Sequence, residues 1–375
     1  MKTVHKIFFQ DSKNMRALPD SSVHLVVTSP PYPMIEMWDE QFKRRNPKID
    51  RALKHGNRTE AFELMHQELD AVWNEVYRTL TDGGIACINI GDAVRTLNDK
   101  FSLYANHARI LSALQKAGFT ALPLILWRKP TNAPNKFMGS GMLPAGAYVT
   151  LEHEYILIVR KGGKREFKSA AQKQNRRESA LFWEERNNWF SDVWLGLIGT
   201  RQKMKKDDAR LRSAAFPFEL AYRLVNMYSV KGDTVLDPFL GTGTTLQAAV
   251  AAGRNSIGYE IETCLQDVIT VDSNAMRDAS NERIQQRILT HLDYLATYGD
   301  QRDKFKYQNR HYKLPVMTRQ EVELFFNPLE SVDRLSDVTL SAIYADITAQ
   351  DIAASWKQPV PSGPKPSSPK QRQLF

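Results

Sequence analysis

Apolar residues along this chain recur with two different periods. Ile7-Phe8-Phe9 closes at Gln10-Asp11-Ser12, and Val23-His24-Leu25-Val26-Val27 closes at Thr28-Ser29-Pro30-Pro31-Tyr32. Compact apolar runs ended by turn residues are the mark of strands buried on both faces. From Glu60 to Leu80 the period lengthens. Phe62, Met65, Leu69, Trp73, Val76 and Leu80 fall three and four apart, which predicts an amphipathic helix stopped by Asp82-Gly83-Gly84. A strand follows over Ile85-Ala86-Cys87-Ile88-Asn89-Ile90, ending at Gly91-Asp92. Another helix precedes a strand at Leu124-Ile125-Leu126-Trp127, and a further strand covers Tyr155 to Val159.

Beyond a polar stretch the alternation resumes. A helix from Pro217 carries Leu220, Leu224 and Met227, and the strand Thr234-Val235-Leu236 runs into Asp237-Pro238-Phe239-Leu240-Gly241-Thr242-Gly243-Thr244-Thr245. The next helix starts near Thr244, and Ser256-Ile257-Gly258-Tyr259-Glu260 closes the unit. Strands alternating with helices predict an α/β fold, a largely parallel sheet covered on both faces. Residues 276 to 357 are more polar and read as helical, with no chemistry assigned. Five prolines between Pro359 and Lys370, mixed with Ser, Gly and Lys, predict a disordered tail. No internal repeat is visible.

Composition narrows the class. The 375 residues are 42% hydrophobic and 25% charged, the balance of a soluble globular protein. No apolar run reaches the roughly 18 residues of a membrane-spanning helix, and the N-terminus lacks a secretory signal, so a cytoplasmic protein is expected. Two cysteines, Cys87 and Cys264, make neither a disulfide framework nor a zinc site, and no metal is expected. Between Arg160 and Arg212 there are 15 Lys/Arg against 7 Asp/Glu, so most of the net charge of +9 falls there. Concentrated positive charge suits a polyphosphate partner, whose bound counterions it releases. An exposed basic loop without a partner is the plainer reading.

Two motifs carry chemistry. At the first, Gly241 and Gly243 let backbone approach a ligand at the end of a strand, and Glu260 follows Asp237 by 23 residues, close to the spacing of ~20 for an acidic residue that binds ribose hydroxyls. G-T-G-T-T has no phosphate-binding lysine and lies beside the acidic Asp237. A ribose-containing cofactor with a cationic or zwitterionic group suits it better than a diphosphate, and a purely structural turn is the other reading. At the second, Pro30 and Pro31 fix the backbone of Thr28-Ser29-Pro30-Pro31-Tyr32 and remove two N–H donors. Rigid acceptors followed by an aromatic ring suit a planar substrate bearing an NH₂ group, although a simple loop would use the same residues.

Together, T-S-P-P-Y and D-P-F-L-G-T-G-T-T resemble the S-adenosylmethionine-dependent DNA amino-methyltransferases, and their order resembles the circularly permuted β group of that family. Gln10-Asp11-Ser12 with Leu18-Pro19-Asp20-Ser21-Ser22-Val23 is similar to the element whose Asp, here Asp11, faces the cofactor adenine. Asp82-Gly83-Gly84 and Asn89-Ile90-Gly91-Asp92 resemble the strand after the catalytic loop. Trp127-Arg128-Lys129-Pro130 with Asn132 and Pro134, then His153-Glu154-Tyr155-Ile156-Leu157, looks like the far side of the target-base pocket. Phe216-Pro217-Phe218-Glu219-Leu220 is similar to the helix start against the methionine end of the cofactor. Here Ala214-Ala215-Phe216-Pro217 lacks the His-Pro that often opens that helix.

The resemblance implies a Rossmann-like methyltransferase fold, circularly permuted, with a mostly parallel seven-stranded sheet, helices on both faces and a target-recognition insertion. It implies a catalytic half over 1–160, a basic target-recognition region over 161–212 and a cofactor-binding half over 213–275. An extension without assigned role follows over 276–358, and the tail occupies 359–375. Asp11, Thr28, Phe216, Asp237, Phe239, Gly241, Gly243, Thr244 and Glu260 would hold S-adenosyl-L-methionine. Ser29, Pro30, Pro31 and Tyr32 would form the catalytic loop.

An exocyclic amine is a weak nucleophile because its lone pair is delocalised into the ring. Ser29 Oγ and the Pro30 carbonyl would accept its two hydrogens, and Tyr32 would stack on a base rotated out of the duplex. No general base or catalytic cysteine is required. Cytosine carbon-5 chemistry is excluded, since neither cysteine lies in a Pro-Cys loop. Trp127 and Phe137 are candidates for the pocket lining, with core packing as the alternative.

In this family Ser-Pro-Pro-Tyr is associated with cytosine N4 and Asp-Pro-Pro-Tyr mostly with adenine N6, so cytosine N4 is favoured. Adenine N6, RNA, or an inactive nucleic-acid-binding relative are the rivals. A dehydrogenase fails for want of G-x-G-x-x-G. Arg176, Arg177, Lys203, Lys205 and Lys206 are the candidates for contacting double-stranded DNA, with Trp183, Trp189, Phe190 and Trp194 interleaved. A restriction endonuclease acting on the same site is a possible counterpart. The end Gln371-Arg372-Gln373-Leu374-Phe375 faintly resembles a peptide that docks on a replication sliding clamp.

Overall fold

A computed structural model describes residues 1–129, 148–197, 216–269, 273–299 and 304–345. The chain opens with β1 (Lys2–Phe9) and β2 (Val23–Thr28). It then forms a short helical insertion, α1 (Asp39–Arg45) and α2 (Pro47–Lys54), before the long helix α3 (Arg58–Thr79). Next come β3 (Leu80–Ile90), the hairpin β4 (Ala93–Leu97) and β5 (Lys100–Tyr104), and α4 (Asn106–Lys116). After them lie β6 (Thr120–Ala121), β7 (Ile125–Arg128), β8 (His153–Arg160), α5 (Ala170–Glu178), α6 (Trp183–Trp189) and β9 (Val193–Trp194). The second half holds α7 (Phe218–Tyr228), β10 (Thr234–Asp237), α8 (Thr244–Ala251), β11 (Asn255–Glu260) and α9 (Ser273–Ala296). The minor strands β12 (Tyr307–Gln308) and β13 (Pro315–Val316) precede β14 (Leu329–Ser336) and β15 (Thr339–Tyr344).

The main sheet runs β14-β15-β1-β11-β10-β2-β3-β8-β7-β9, with β6 beside β8. Its centre, β1, β11, β10, β2 and β3, is parallel throughout. The continuous apolar runs have a direct cause: successive residues feed opposite cores. Val26, Ala86 and Ile88 meet α3 and α4 through Met65, Leu69, Trp73 and Ile110. Leu25, Val27 and Cys87 meet α7 and α8 through Leu220, Leu224, Ala248 and Ala249.

Among the described residues the sheet has eleven strands rather than the expected seven. One reason is that residues 276 onward are only partly helical. α9 ends at Ala296, and β14 and β15 add an antiparallel hairpin to β1. Buried Thr3 and His5 let β1 pair on both sides without loose polar groups, because His5 bonds Thr3 and Ser256. α9 also braces α6: Arg287 makes a fully buried ion pair with Glu185, and His291 bonds Glu184.

Strand direction fixes where each loop lies. β8 is antiparallel to β3, so Arg160 leaves the sheet at the edge opposite the ends of β2 and β10. β7 and β9 run back toward the edge where β2 and β10 end. Among the described residues, no helix is long and apolar enough to cross a membrane.

Candidate active site

The two motifs converge because β2 and β10 are parallel neighbours. Thr28 Oγ1, the last residue of β2, donates to Asp237 Oδ1 at 2.6 Å, and the Phe239 N–H donates to the same oxygen at 3.0 Å. Thr245 Oγ1 donates back to the Val27 carbonyl at 3.1 Å. These bonds clasp the catalytic loop to the glycine turn. Burial lifts the Asp237 carboxyl to about 6, against the stabilising bonds from Thr28 and the Phe239 N–H.

Gly241 and Gly243 adopt φ of +54° and +84°, a region that side chains disfavour. The turn they make carries the chain into α8 at Thr244. Gly241 N–H donates to Glu260 Oε2 and Glu262 N–H to Glu260 Oε1, each at 2.8 Å, so this carboxylate is fixed across the mouth of the turn. Burial raises its pKa from the ordinary glutamate value.

Between the turn and the catalytic loop lies a cavity of about 380 Å³. Phe239, Gly241, Thr244 and Glu260 line one wall, Ser29 and Pro31 another, Phe216 a third, and Trp38, Gln41 and Arg44 of the helical insertion its rim. A Cβ at Gly241 would meet nothing nearer than the Phe239 carbonyl at 3.9 Å, so the turn leaves open space for a ligand against its backbone. Aromatic rings, a fixed carboxylate and a glycine cradle without a lysine fit a nucleoside bearing a sulfonium and an amino acid.

Beside this cavity the catalytic loop is held by a polar network. Tyr32 OH donates to Glu154 Oε2 at 2.9 Å and accepts from Asn89 Nδ2 at 2.8 Å and from Ser29 Oγ at 3.1 Å. Asn89 also donates to Glu154 Oε2 at 2.7 Å, and Lys129 Nζ to Glu154 Oε1 at 2.8 Å. A carboxylate can only accept and an amide NH₂ only donate, so the proton directions are set. The Ser29 proton is committed to Tyr32, and the serine lone pairs remain for an incoming N–H. Burial, then the neighbouring Glu154 charge, pushes the Tyr32 hydroxyl well above its ordinary pKa and keeps it protonated. Asn106 Nδ2 donates to the carbonyls of Pro33 and Gly91, both at 3.0 Å, tying the loop to the end of β3.

Of the residues expected in the site, Ser29, Pro31, Phe216, Phe239, Gly241, Thr244 and Glu260 line the cavity. Thr28, Asp237 and Gly243 lie behind that wall, and Pro30 and Tyr32 continue the loop beside it. Asp11 is flanked by the lining residues Gln10 and Ser12 and stands 3.7 Å from Arg45. Trp127 is a core residue, 2% exposed, whose Nε1 donates to the Leu197 carbonyl; Phe137 falls outside the described residues. Arg176 and Arg177 are exposed on α5, which the structure sets at the far edge: Asn175 donates to the Lys231 carbonyl, in the turn before β10. Lys203, Lys205, Lys206 and the tail from 359 fall outside the described residues. Glu154 lies in the run that the sequence places at the far side of the target-base pocket and Asn89 in the run resembling the strand after the catalytic loop, while no sequence motif marks Asn106. Among the described residues no cluster could hold a metal.

Fold and cavity together define an S-adenosylmethionine-dependent methyltransferase. A structure from Thermus thermophilus, solved in complex with S-adenosyl-L-methionine, is 34% identical, with a TM-score of 0.54 over 70% of this chain and 92% of its own. The Type II methyltransferase M.MthZI of Methanothermobacter thermautotrophicus is 52% identical over 325 residues, 86% of this chain and 90% of its own. M.MjaI of Methanocaldococcus jannaschii, also a Type II methyltransferase, is 52% identical over 278 residues, 71% of this chain and 90% of its own. The N6/N4 methyltransferase family, described as DNA methylase, matches residues 23–270. The chain belongs to this N6/N4 DNA methylase family, and its cofactor is S-adenosyl-L-methionine.

Proposed function

We propose that this DNA methyltransferase modifies the exocyclic N4 amine of cytosine at a specific sequence in double-stranded DNA, as the protecting partner of a restriction endonuclease. The observation that carries the reading is Ser29, a neutral hydroxyl at the cavity wall whose proton is directed to Tyr32. Its lone pairs, with the Pro30 carbonyl, suit the two hydrogens of a target amine. Accepting both would localise the nitrogen lone pair and aim it toward the cavity. Bound S-adenosylmethionine supplies an electrophilic methyl group. Tyr32 offers a face for a base rotated out of the duplex, offsetting part of the few kcal/mol that extrusion costs.

The cytosine assignment rests on Ser-Pro-Pro-Tyr, the form associated with N4 in this family. Adenine presents the same amine-plus-acceptor edge, and N6 methylation is the second reading. The test is nucleoside mass spectrometry of unmethylated duplex DNA incubated with protein and cofactor, with Ser29→Ala and Tyr32→Ala as controls. N4-methylcytosine, formed far more slowly by both variants, is expected. N6-methyladenine would keep the mechanism and overturn the base, and no methylated base in the DNA would overturn the DNA reading.

A further inference from the structure

The insertion between the catalytic loop and α3 carries charge that the site described above does not use. Residues 43 to 58 hold seven Lys/Arg against one acidic residue, Asp50. α2 sorts them by helical period. Ile49 and Ala52 are buried on its inner face, while Lys48, Arg51 and Lys54, three apart, are exposed on the outer one, followed by exposed His55. Exposed Arg44 continues the stripe from α1. Asp50 is bridged by Lys54 at 2.6 Å and Lys43 at 3.4 Å, and Arg44 stands 3.8 Å from Glu262. The side chains of Lys48 and Arg51 have no acidic partner among the described residues.

Topology puts this stripe beside the reaction. β2 delivers Ser29 at its carboxyl end, and α3 starts there and runs back to begin β3, which is parallel to β2. The helices between them therefore sit at the catalytic edge of the sheet, and Arg44 lines the cavity rim. The insertion is anchored rather than loose. Arg95 holds buried Asp39 with bonds of 2.9 and 2.7 Å, and Arg58 donates to Ser102 of the hairpin at 2.6 Å. Exposed cations on a rigid mount lose less entropy on engaging a ligand than cations on a free loop.

We propose that the outer face of α2, Lys48, Arg51 and Lys54 with Arg44, grips consecutive phosphates of the duplex flanking the target base. Lys48 to Lys54 spans about 9 Å at 1.5 Å per residue. One strand of a duplex places about three phosphates in that axial length. Phosphate contacts of this kind set position and register without reading sequence. The inference rests on duplex DNA being the substrate, and it shifts the anchoring role away from Arg176 and Arg177 at the far edge.

The test is the salt dependence of binding to a mixed-sequence duplex, for wild type, the triple variant Lys48→Gln/Arg51→Gln/Lys54→Gln, and Arg176→Gln/Arg177→Gln. Affinity for S-adenosylmethionine is measured on each as a check on folding. The α2 triple is expected to lower the slope of log K against log salt by about 2 to 3 and to bind at least roughly tenfold more weakly at low salt. Its cofactor affinity stays unchanged, and the α5 pair keeps the wild-type slope. An unchanged slope in the triple, or a loss confined to the α5 pair, overturns the proposal. If the triple loses cofactor binding, Arg51→Gln alone decides, by a fall in slope of about 1 or none. A wild-type protein without salt-dependent duplex binding would instead overturn the substrate on which the proposal stands.

Discussion

Tyr32 OH donates to Glu154 Oε2 at 2.9 Å, joining the catalytic loop after β2 to the start of β8. This bond fixes the polarity of the whole network, because with Glu154 ionised Tyr32 must spend its proton there and can only accept from Ser29 and Asn89. Glutamine at 154 could donate as well as accept, and that constraint would vanish. Glu154→Gln and Tyr32→Phe are each expected to lower kcat roughly tenfold, the scale of one lost hydrogen bond of about 1 kcal/mol or more, with cofactor affinity unchanged. Tyr32→Ala, which also removes the stacking face worth about 1–3 kcal/mol, should cost roughly a hundredfold. Full activity in Tyr32→Phe would show that the network does not orient Ser29.

Glu260 is expected to set the pH range of cofactor binding. Its carboxylate receives two backbone N–H groups and faces the cavity, and burial raises its pKa. As pH falls, Glu260 takes a proton earlier than an exposed glutamate would, and affinity for S-adenosylmethionine weakens from that point. Glu260→Gln should bind the cofactor about tenfold or more weakly at neutral pH and lose this acid-side dependence. Titration calorimetry from neutral to mildly acid solution measures both. A variant with wild-type affinity would remove Glu260 from the cofactor site.

The central elements were legible in the sequence because burial on both faces leaves a local signature. Val23–Thr28 and Asn255–Glu260 are such strands, and α3 declares itself through the spacing of Met65, Leu69, Trp73 and Val76. The glycine turn was legible because Gly241 and Gly243 are the residues a positive φ demands. α1 and α2 were not, since seven and eight residues are too few for a period to stand out. β14 escaped for another reason. Leu329–Ser336 is an edge strand rich in exposed polar residues, stabilised by its partner rather than by its own composition. The meeting of Asn89 with Glu154 depends on the register of β3 against β8, where Asn89 faces Ile156, and no local pattern encodes that pairing.

Asp237 should couple stability to pH. Its carboxyl is 2% exposed, and burial raises it from 3.8 to about 6. The folded state therefore holds this proton more tightly than the unfolded chain. The stabilisation is complete below pH 3.8 and is lost as pH rises through about 6, so the ionised group is a cost at neutral pH. Asparagine keeps an oxygen for Thr28 and the Phe239 N–H without the charge. Asp237→Asn is expected to gain stability relative to wild type on going from mildly acid to neutral pH, by at most about 3 kcal/mol for two pKa units. Denaturant unfolding at the two pH values checks this. A difference that is flat or of opposite sign would mean that Asp237 is ionised without penalty.

Gly91 offers a way to disturb Tyr32 without touching it chemically. It follows Ile90, the last residue of β3, and it has no unusual backbone angle that requires glycine. A Cβ there would sit 3.0 Å from Tyr32 Cε2 and 3.4 Å from Glu154 Cγ. Contacts that close force one neighbour aside. The Tyr32 ring is the nearer neighbour and is tied only through its hydroxyl, while Glu154 is tied at both carboxylate oxygens and Asn106 bonds the Gly91 carbonyl, so the ring is expected to tilt. Gly91→Ala should therefore reduce kcat about tenfold or more, since misplacement by an ångström can cost a hundredfold, while cofactor affinity and stability change little. Adding Tyr32→Ala to Gly91→Ala separates the causes: if the clash acts through the ring, the double variant is no slower than Tyr32→Ala alone. A further drop in the double variant would place the effect of Gly91 in the backbone of β3 instead.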